Sequence, residues 1–277
     1  MGVVNVTPDS FSDGGRYLDP ASAIELALRQ LDEGADLIDI GGESTRPGSR
    51  VSGDSPTSTR PVVSAEEELQ RILPVIEGAL ARRADAIISV DTYKAAVARR
   101  AIASGAQIVN DVSGLRWDAE IASTVAGLGC GVVLMHMRGR PSEWRSLPPL
   151  VNGVEVVSRE LAEMADSALR AGVAREKIVL DPGLGFGKSF EENYPLIDHF
   201  DQFQRLGFPL VAGPSRKSFI GRTLRVDEAD APPDRRLYGT LAAVTAVILK
   251  GAHIVRVHDV RPAVEAARVA DAILRSS

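Results

Sequence analysis

Apolar residues recur along the chain in eight short runs: GVVNV (2–6), DLIDI (36–40), AIISV (86–90), QIVN (107–110), GVVLMH (131–136), KIVLD (177–181), PLVAG (209–213) and HIVRV (253–257). They are rich in Val and Ile and mostly do not alternate with polar residues. That is the pattern of strands buried on both faces of a parallel sheet. Between the runs the apolar spacing is helical. Residues 22–33, 92–104 and 158–171 each lead to a glycine, Gly34, Gly105 or Gly172, that can close a helix in the left-handed conformation. In the third, Leu161, Met164, Ala165, Ala168 and Leu169 share one face. Ser64 followed by Glu67 is a capping box and predicts a helix from Ala65 to about Ala81. Eight strand–helix units predict an α/β fold, a (β/α)8 TIM barrel. An open doubly wound sheet is the alternative, weakened because no Gly-rich dinucleotide fingerprint follows the first run. Residues 48–63, 139–149 and 226–234 are the least patterned and read as long loops on the active face.

The bulk properties narrow the function. A chain of 277 residues suits one barrel or two small domains. No linker-like stretch divides it, so a single domain over residues 1–277 is expected. The net charge of −5, without a block of like charges, gives no sign of a nucleic-acid partner. The lone cysteine, Cys130, cannot form an internal disulfide and fits a reducing compartment. It reads as a small buried hydrophobe rather than a nucleophile. No apolar run reaches membrane-spanning length, and the first residues do not resemble a signal peptide. A cytoplasmic protein without a membrane partner is expected.

Candidate chemistry collects where the runs end, as it does in barrels. These ends carry Asn5, Asp39, Asp91, Asn110, His136, Asp181, the trio Ser215-Arg216-Lys217, and Arg256 with His258. Any one of them has a structural explanation, such as a helix cap at Asp91, Asp181 or Asn110. Together they would converge on one mouth. Asp91, Asp181 and Asn110 can pair with a planar heterocycle that both donates and accepts, because a carboxylate takes two parallel hydrogen bonds from an aminopyrimidine edge. Lys217 can donate to a ring carbonyl or nitrogen. Arg256, His258 and Asn5 suit a phosphate, and Asn5 can give an oxygen to a Mg²⁺ that bridges phosphates. DPGLGFGKS (181–189) is one residue short of a phosphate-binding P-loop. Its glycines read as permitting close approach to a flat ligand, with Phe186 as a wall. Zinc-ligand spacing and a nucleophile elbow are both lacking.

Seven segments, NVTPDSFSDGG (5–15), DIGGESTRPG (39–48), SVDT (89–92), NDVSG (110–114), DPGLGFGK (181–188), SRKSFIG (215–221) and RVHDV (256–260), resemble the dihydropteroate synthase family of bacterial folate synthesis. The resemblance runs from Gly2 to about Ile273. It implies a transferase that joins p-aminobenzoate to 6-hydroxymethyl-7,8-dihydropterin diphosphate and releases diphosphate, with sulfonamides as inhibitors. It implies that Asp91, Asn110, Asp181 and Lys217 hold the pterin, with Val112 and Met135 on its faces. Arg256, His258 and Asn5 would hold the diphosphate, Asn5 through Mg²⁺. A first loop with Phe11 and Asp13 and a second with Thr45, Arg46 and Pro47 would close over the diphosphate and build the p-aminobenzoate pocket with Phe186, Lys217 and Ser218. The resemblance further implies a dissociative, SN1-like step and a homodimer packed through C-terminal helices, which the apolar segment YGTLAAVTAVIL (238–249) permits. A corrinoid methyltransferase barrel and a catalytically silent paralogue are the rival readings. The SRK, RVH and STRPG segments favour the synthase over the first, and the intact Asn5, Arg256 and His258 over the second.

Two features depart from the family. Ser-Thr-Arg-Pro occurs at 44–47 and again at 58–61. The first copy follows its strand directly and is read as functional. Residues 50–63 are read as an inserted, flexible, exposed loop, and Arg60 as a drifted duplicate of Arg46. The chain also begins inside the first strand, where the family usually has a short preceding hairpin. The expectation is a trimmed start or a barrel bottom covered in another way.

Overall fold

The computed structural model describes residues 1–7, 19–44, 51 and 62–276. All eight expected strands form: β1 (Gly2–Asn5), β2 (Leu37–Gly41), β3 (Ile87–Asp91), β4 (Ile108–Asp111), β5 (Gly131–Met135), β6 (Ile178–Asp181), β7 (Val211–Ala212) and β8 (Ile254–Val255). The α-helices among the described residues are α1 (Pro20–Asp32), α2 (Ala65–Arg82), α3 (Ala95–Ala103), α4 (Ile121–Leu128), α5 (Gly153–Arg170), α6 (Phe190–Asp198), α7 (Ser218–Thr223), α8 (Leu237–Leu249) and α9 (Val260–Arg275). Strands β1 to β6 pair in parallel in chain order, and β7 pairs with β8. Single parallel bridges join these two groups, Leu180 to Leu210 on one side and Gly2 to Val257 on the other. The Val3 N–H donates to Val257 O at 3.1 Å, and the Val257 N–H to Met1 O at 2.9 Å. The eight strands therefore close into a ring. The barrel reading holds, and the open doubly wound sheet does not.

The core lies between the ring and its helices. Ile38, Ile40, Val90, Val109 and Leu134 from the strands pack in one cluster with Ile72, Val97 and Leu161 from the helices. Each such side chain contributes roughly 2 kcal/mol of transfer free energy. Helix α2 buries Leu69, Ile72, Val75, Ile76 and Ala79, the spacing of one helical face. Its Ser64 cap accepts from the Glu67 N–H at 3.1 Å, as the capping box predicts. The Glu67 carboxylate pairs with Arg71. Cys130 is buried in the same core, as a small hydrophobe would be.

Helix starts differ from the sequence reading where a tertiary contact decides them. Helix α3 starts at Ala95 rather than at Thr92. The Thr92 N–H still follows the sheet, donating to Asn110 O at 3.1 Å. Asp118 then receives the Ala95 N–H at 2.8 Å. Helix α5 starts at Gly153, a turn earlier than read, because Val157 extends the buried stripe of Leu161, Met164, Ala165 and Ala168. Among the described residues two helices follow β7, one more than a simple unit requires; the extra one is the short α7. Val51 falls within the stretch read as an exposed insertion, yet it is fully buried beside Tyr93, Val112 and Met135. Hydrophobic contact outweighs the polar composition of its neighbours in sequence there. The strands' N-terminal ends hold an apolar cavity of about 340 Å³, lined by Met1, Leu37, Ile108, Val179 and Ile254.

Candidate active site

Strand register explains how scattered residues reach one mouth. Asn5 pairs with Gly41, Gly41 with Asp91, and Asp91 with Asn110. Neighbours in parallel register point to the same face, so these positions form one row at the C-terminal rim. Gly41 has no side chain, and a Cβ there would lie 3.2 Å from the Asp91 Cβ. The glycine thus leaves the space that Asp91 occupies. A cleft of about 690 Å³ opens at this rim, lined by Asn5, Asp91, Phe186, Lys217, Ser218, Arg256 and His258. Asn110, Val112, Met135 and Asp181 are buried. The strand-end candidates among the described residues gather at this end of the barrel, His136 excepted. Phe11, Asp13, Thr45, Arg46, Pro47 and Arg60 lie outside the described residues.

The centre of the site is a charged network. Arg256 donates through Nε to Asp39 Oδ2 at 2.7 Å and through Nη2 to Asp91 Oδ2 at 3.0 Å. Asn110 Nδ2 donates to the same Asp39 oxygen at 2.9 Å. Burial works to lower the Arg256 pKa, but Asp39 and Asp91 outweigh it and hold it above the usual value. Burial, reinforced by the charge of Asp39, raises Asp91, and Arg256 works the other way. Burial also raises Asp181, whose Oδ1 accepts the Gly183 N–H at 2.7 Å. Carboxylates held in this way favour ligands that bring N–H donors.

His258 is a neutral donor rather than a cation. Burial, then the charge of Arg256, lowers its pKa to about 3. Its backbone N–H donates to Ser215 Oγ at 3.2 Å, and its Nδ1 lies 3.0 Å from that oxygen. Ser215 can therefore donate to Nδ1, which places the ring proton on Nε2. On the facing wall, Lys217 Nζ sits 3.6 Å from the centroid of the Phe186 ring. Arg216 also lines the cleft and makes a two-point ion pair with Asp259, at 2.9 Å from Nε.

Two parts of the sequence reading need correction. Gly183 and Gly187 make room for the chain itself rather than for a flat ligand, since a Cβ there would lie 1.9 Å from the His136 carbonyl oxygen and 2.4 Å from the Arg138 carbonyl oxygen, whereas Gly185 does line the cleft. Lys188 fixes the same turn by donating to the carbonyls of Gly183, His136 and Phe186 at 2.8, 3.2 and 3.2 Å. Phe186 does stand as a wall of the cleft. His136 does not join the mouth. It is fully buried, with Nε2 3.0 Å from Glu160 on α5. Burial lowers its pKa to about 4.

With this geometry in place, comparison with known proteins is decisive. The family model of pterin binding enzymes matches residues 1–258. A dihydropteroate synthase of Synechocystis sp. is 43% identical over 275 residues, covering 99% of this chain and 90% of that protein. The chain belongs to the dihydropteroate synthase family. This is a family of transferases. The solved structure of the Yersinia pestis dihydropteroate synthase with a sulfonamide drug has a TM-score of 0.88 against this fold, at 40% identity over 100% of this chain and 94% of that one. The dihydropteroate synthase of Xanthomonas albilineans in complex with 7,8-dihydropteroate gives 0.83 at 40% identity, covering 99% and 92%. Among the described residues, no helix is long and apolar enough to cross a membrane.

Within this family fold, sequence reasoning passed over two sets of residues. Asp39 was visible as a strand-end acid but had no role; its signal is a charge inside the apolar run DLIDI, which is costly unless paired. The second set is a buried cluster beside the cleft. Lys94 Nζ lies 2.7 Å from Glu43 and 2.5 Å from Glu68, and the Tyr93 hydroxyl lies 3.3 Å from Glu43. Burial raises the Glu43 pKa, and Lys94 opposes the rise. Glu43 lines the cleft and immediately precedes the first Ser-Thr-Arg-Pro. Nothing in local sequence spacing announces this cluster.

Proposed function

We propose that the chain condenses 6-hydroxymethyl-7,8-dihydropterin diphosphate with p-aminobenzoate, giving 7,8-dihydropteroate and diphosphate. The observation that carries this reading is the Asp39–Arg256–Asp91 network with Asn110. It sets acceptors for an aminopyrimidine edge directly beside a cation for a diphosphate. Membership in the dihydropteroate synthase family supports it.

In this reading Asp91, Asn110, Asp181 and Lys217 hold the pterin, and Val112 and Met135 pack its faces. Arg256 uses Nε and Nη2 within the network, which leaves Nη1 for the diphosphate. His258 offers its Nε2–H to the same group. The donor set at Asn5 fits Mg²⁺, since an amide oxygen at a rim of diphosphate donors leaves the ion its waters and phosphate oxygens as further ligands. Bound there, the ion would neutralise charge on the departing diphosphate.

The arylamine is the nucleophile and is neutral at pH 7, so no side chain has to form a covalent intermediate. The bond between the pterin methylene and the diphosphate oxygen breaks, and both electrons leave with the oxygen. Asp91 and Asp181 stabilise the positive charge spread over the pterin, while Arg256 and His258 stabilise the leaving group. The amine nitrogen then bonds to the methylene and loses a proton to solvent. This order is SN1-like. Sulfonamides would occupy the p-aminobenzoate end formed by Phe186, Lys217 and Ser218 with Phe11, Thr45 and Pro47. The working unit is proposed to be a cytoplasmic homodimer packed through α8 and α9.

The test is diphosphate release by the purified protein given dihydropterin diphosphate, Mg²⁺ and p-aminobenzoate. Release is expected only when p-aminobenzoate is present. Binding of the pterin with no release under any condition would overturn the reading in favour of a silent barrel.

A further inference from the structure

We propose that Trp144 is a specificity-determining residue. Its ring forms the wall of the arylamine half of the cleft and packs on the second ring of the bound ligand. The inference rests on the synthase reading for the identity of that ligand. Residues 139–149 carry no motif, yet the structure holds this segment in place. The Arg140 N–H donates to Glu143 Oε2 at 2.7 Å, and the Glu143 N–H to Arg140 O at 2.8 Å, just ahead of a 3-10 turn over Trp144–Ser146. Arg138 Nη2 donates to Pro148 O at 2.8 Å, and Glu192 of α6 receives the Leu150 N–H at 2.5 Å. A side chain on such a segment has a defined position.

Three contacts give that position meaning. Trp144 lines the cleft together with Phe186, Lys217 and Ser218. Its ring meets Phe186 edge to face, with centroids 5.8 Å apart at 88°. It also packs against the buried cluster that contains Val112 and Met135. Trp144 therefore stands where the pterin-packing pair meets the Phe186–Lys217 wall, the place where the second ring must lie.

The indole Nε1 is buried and has no hydrogen-bond partner. With that atom closed off, what Trp144 offers a ligand is its ring, and a phenylalanine would supply a smaller one.

The experiment compares two ligands by calorimetry: 7,8-dihydropteroate, which fills both halves, and 6-hydroxymethyl-7,8-dihydropterin, which fills one. Trp144→Ala is expected to weaken dihydropteroate about 30-fold and Trp144→Phe about fivefold, with the bare pterin changed less than about twofold in either. The KM for p-aminobenzoate should rise in the same order. Equal weakening of both ligands, or none, would overturn the proposal. Should Trp144→Ala fail to fold by thermal melting, Trp144→Phe decides by the same ratio. If the wild type binds dihydropteroate without turning over, the synthase reading fails and the ligand ratio still decides the role of Trp144. If it binds neither ligand, both fail.

Discussion

Asp39 lies inside the strand segment LIDIG with no exposure at all, where an unpaired carboxylate would be far more costly than any of its neighbours. One of its oxygens receives both Arg256 Nε and Asn110 Nδ2. A single atom thus ties β2 to β4 and to the residue after β8. Asp39→Asn removes the charge but keeps the shape, leaving Arg256 with Asp91 alone. Denaturant unfolding should report a loss on the order of 3 kcal/mol, the cost of breaking one side of a buried ion pair. Diphosphate release should fall roughly 100-fold in kcat/KM, because the guanidinium is no longer oriented. Stability and activity within a factor of two of wild type would remove Asp39 from the site's framework. At this scale the sequence told which residues are charged but not whom they meet. Arg256 and Asp39 are 217 positions apart. His136 was misassigned for a different reason. Side chains alternate along a strand, so with Met135 packed beside Val112 at the mouth, the next residue points away, toward α5.

The turn after β6 shows the same division at the scale of an element. Its position beyond an apolar strand was legible, and so was Phe186 as a wall. Gly183 and Gly187 were misread, because their partners are carbonyls just after β5 that local sequence cannot see, while Gly185 does border the cleft. Gly183 has φ +68°, and a Cβ there would lie 1.9 Å from backbone oxygen, which cannot give way as a side chain can. Gly129, at the end of α4, has a similar φ of +62° with nothing within 4 Å. Both Gly→Ala changes incur left-handed strain of about 1 kcal/mol. Only Gly183→Ala must also displace the turn that positions Asp181 and Phe186. It is expected to cost on the order of 3 kcal/mol or more in urea unfolding and to reduce kcat/KM, while Gly129→Ala costs about 1 kcal/mol and leaves activity intact. Equal costs at the two sites would mean that the turn relaxes freely and does not position the site. The strands themselves were readable because burial on both faces leaves a continuous apolar run. The helix starts at Ala95 and Gly153 were not, because each depends on a contact with another element.

Across the whole molecule, apolar exposure is uneven. Of the ten exposed large apolar side chains among the described residues, five, Tyr238, Leu249, Val269, Ile273 and Leu274, belong to α8 and α9. These two helices pack on each other through Val244, Ile248, Val260, Ala263 and Ala270. Their inner faces are therefore already used, and the exposed side chains form a second, outward set. Val269 and Ile273 are four residues apart, so they project side by side from α9. An exposed apolar patch at this density marks a protein interface more often than a bare surface. It also lies on helices rather than on the loops that carry the cleft, so association there leaves the cleft open. Sedimentation velocity of the wild type should give about twice the 29.5 kDa chain mass. The pair Val269→Asp and Ile273→Asp places two like charges against their own copies in a symmetric interface and should yield monomers. Because the network at Asp39, Asp91 and Arg256 lies within one chain, those monomers should still bind 7,8-dihydropteroate with wild-type affinity. A wild type that sediments as a single chain would show that the patch serves no self-association. A dimer that survives both aspartates would place the interface elsewhere on the barrel.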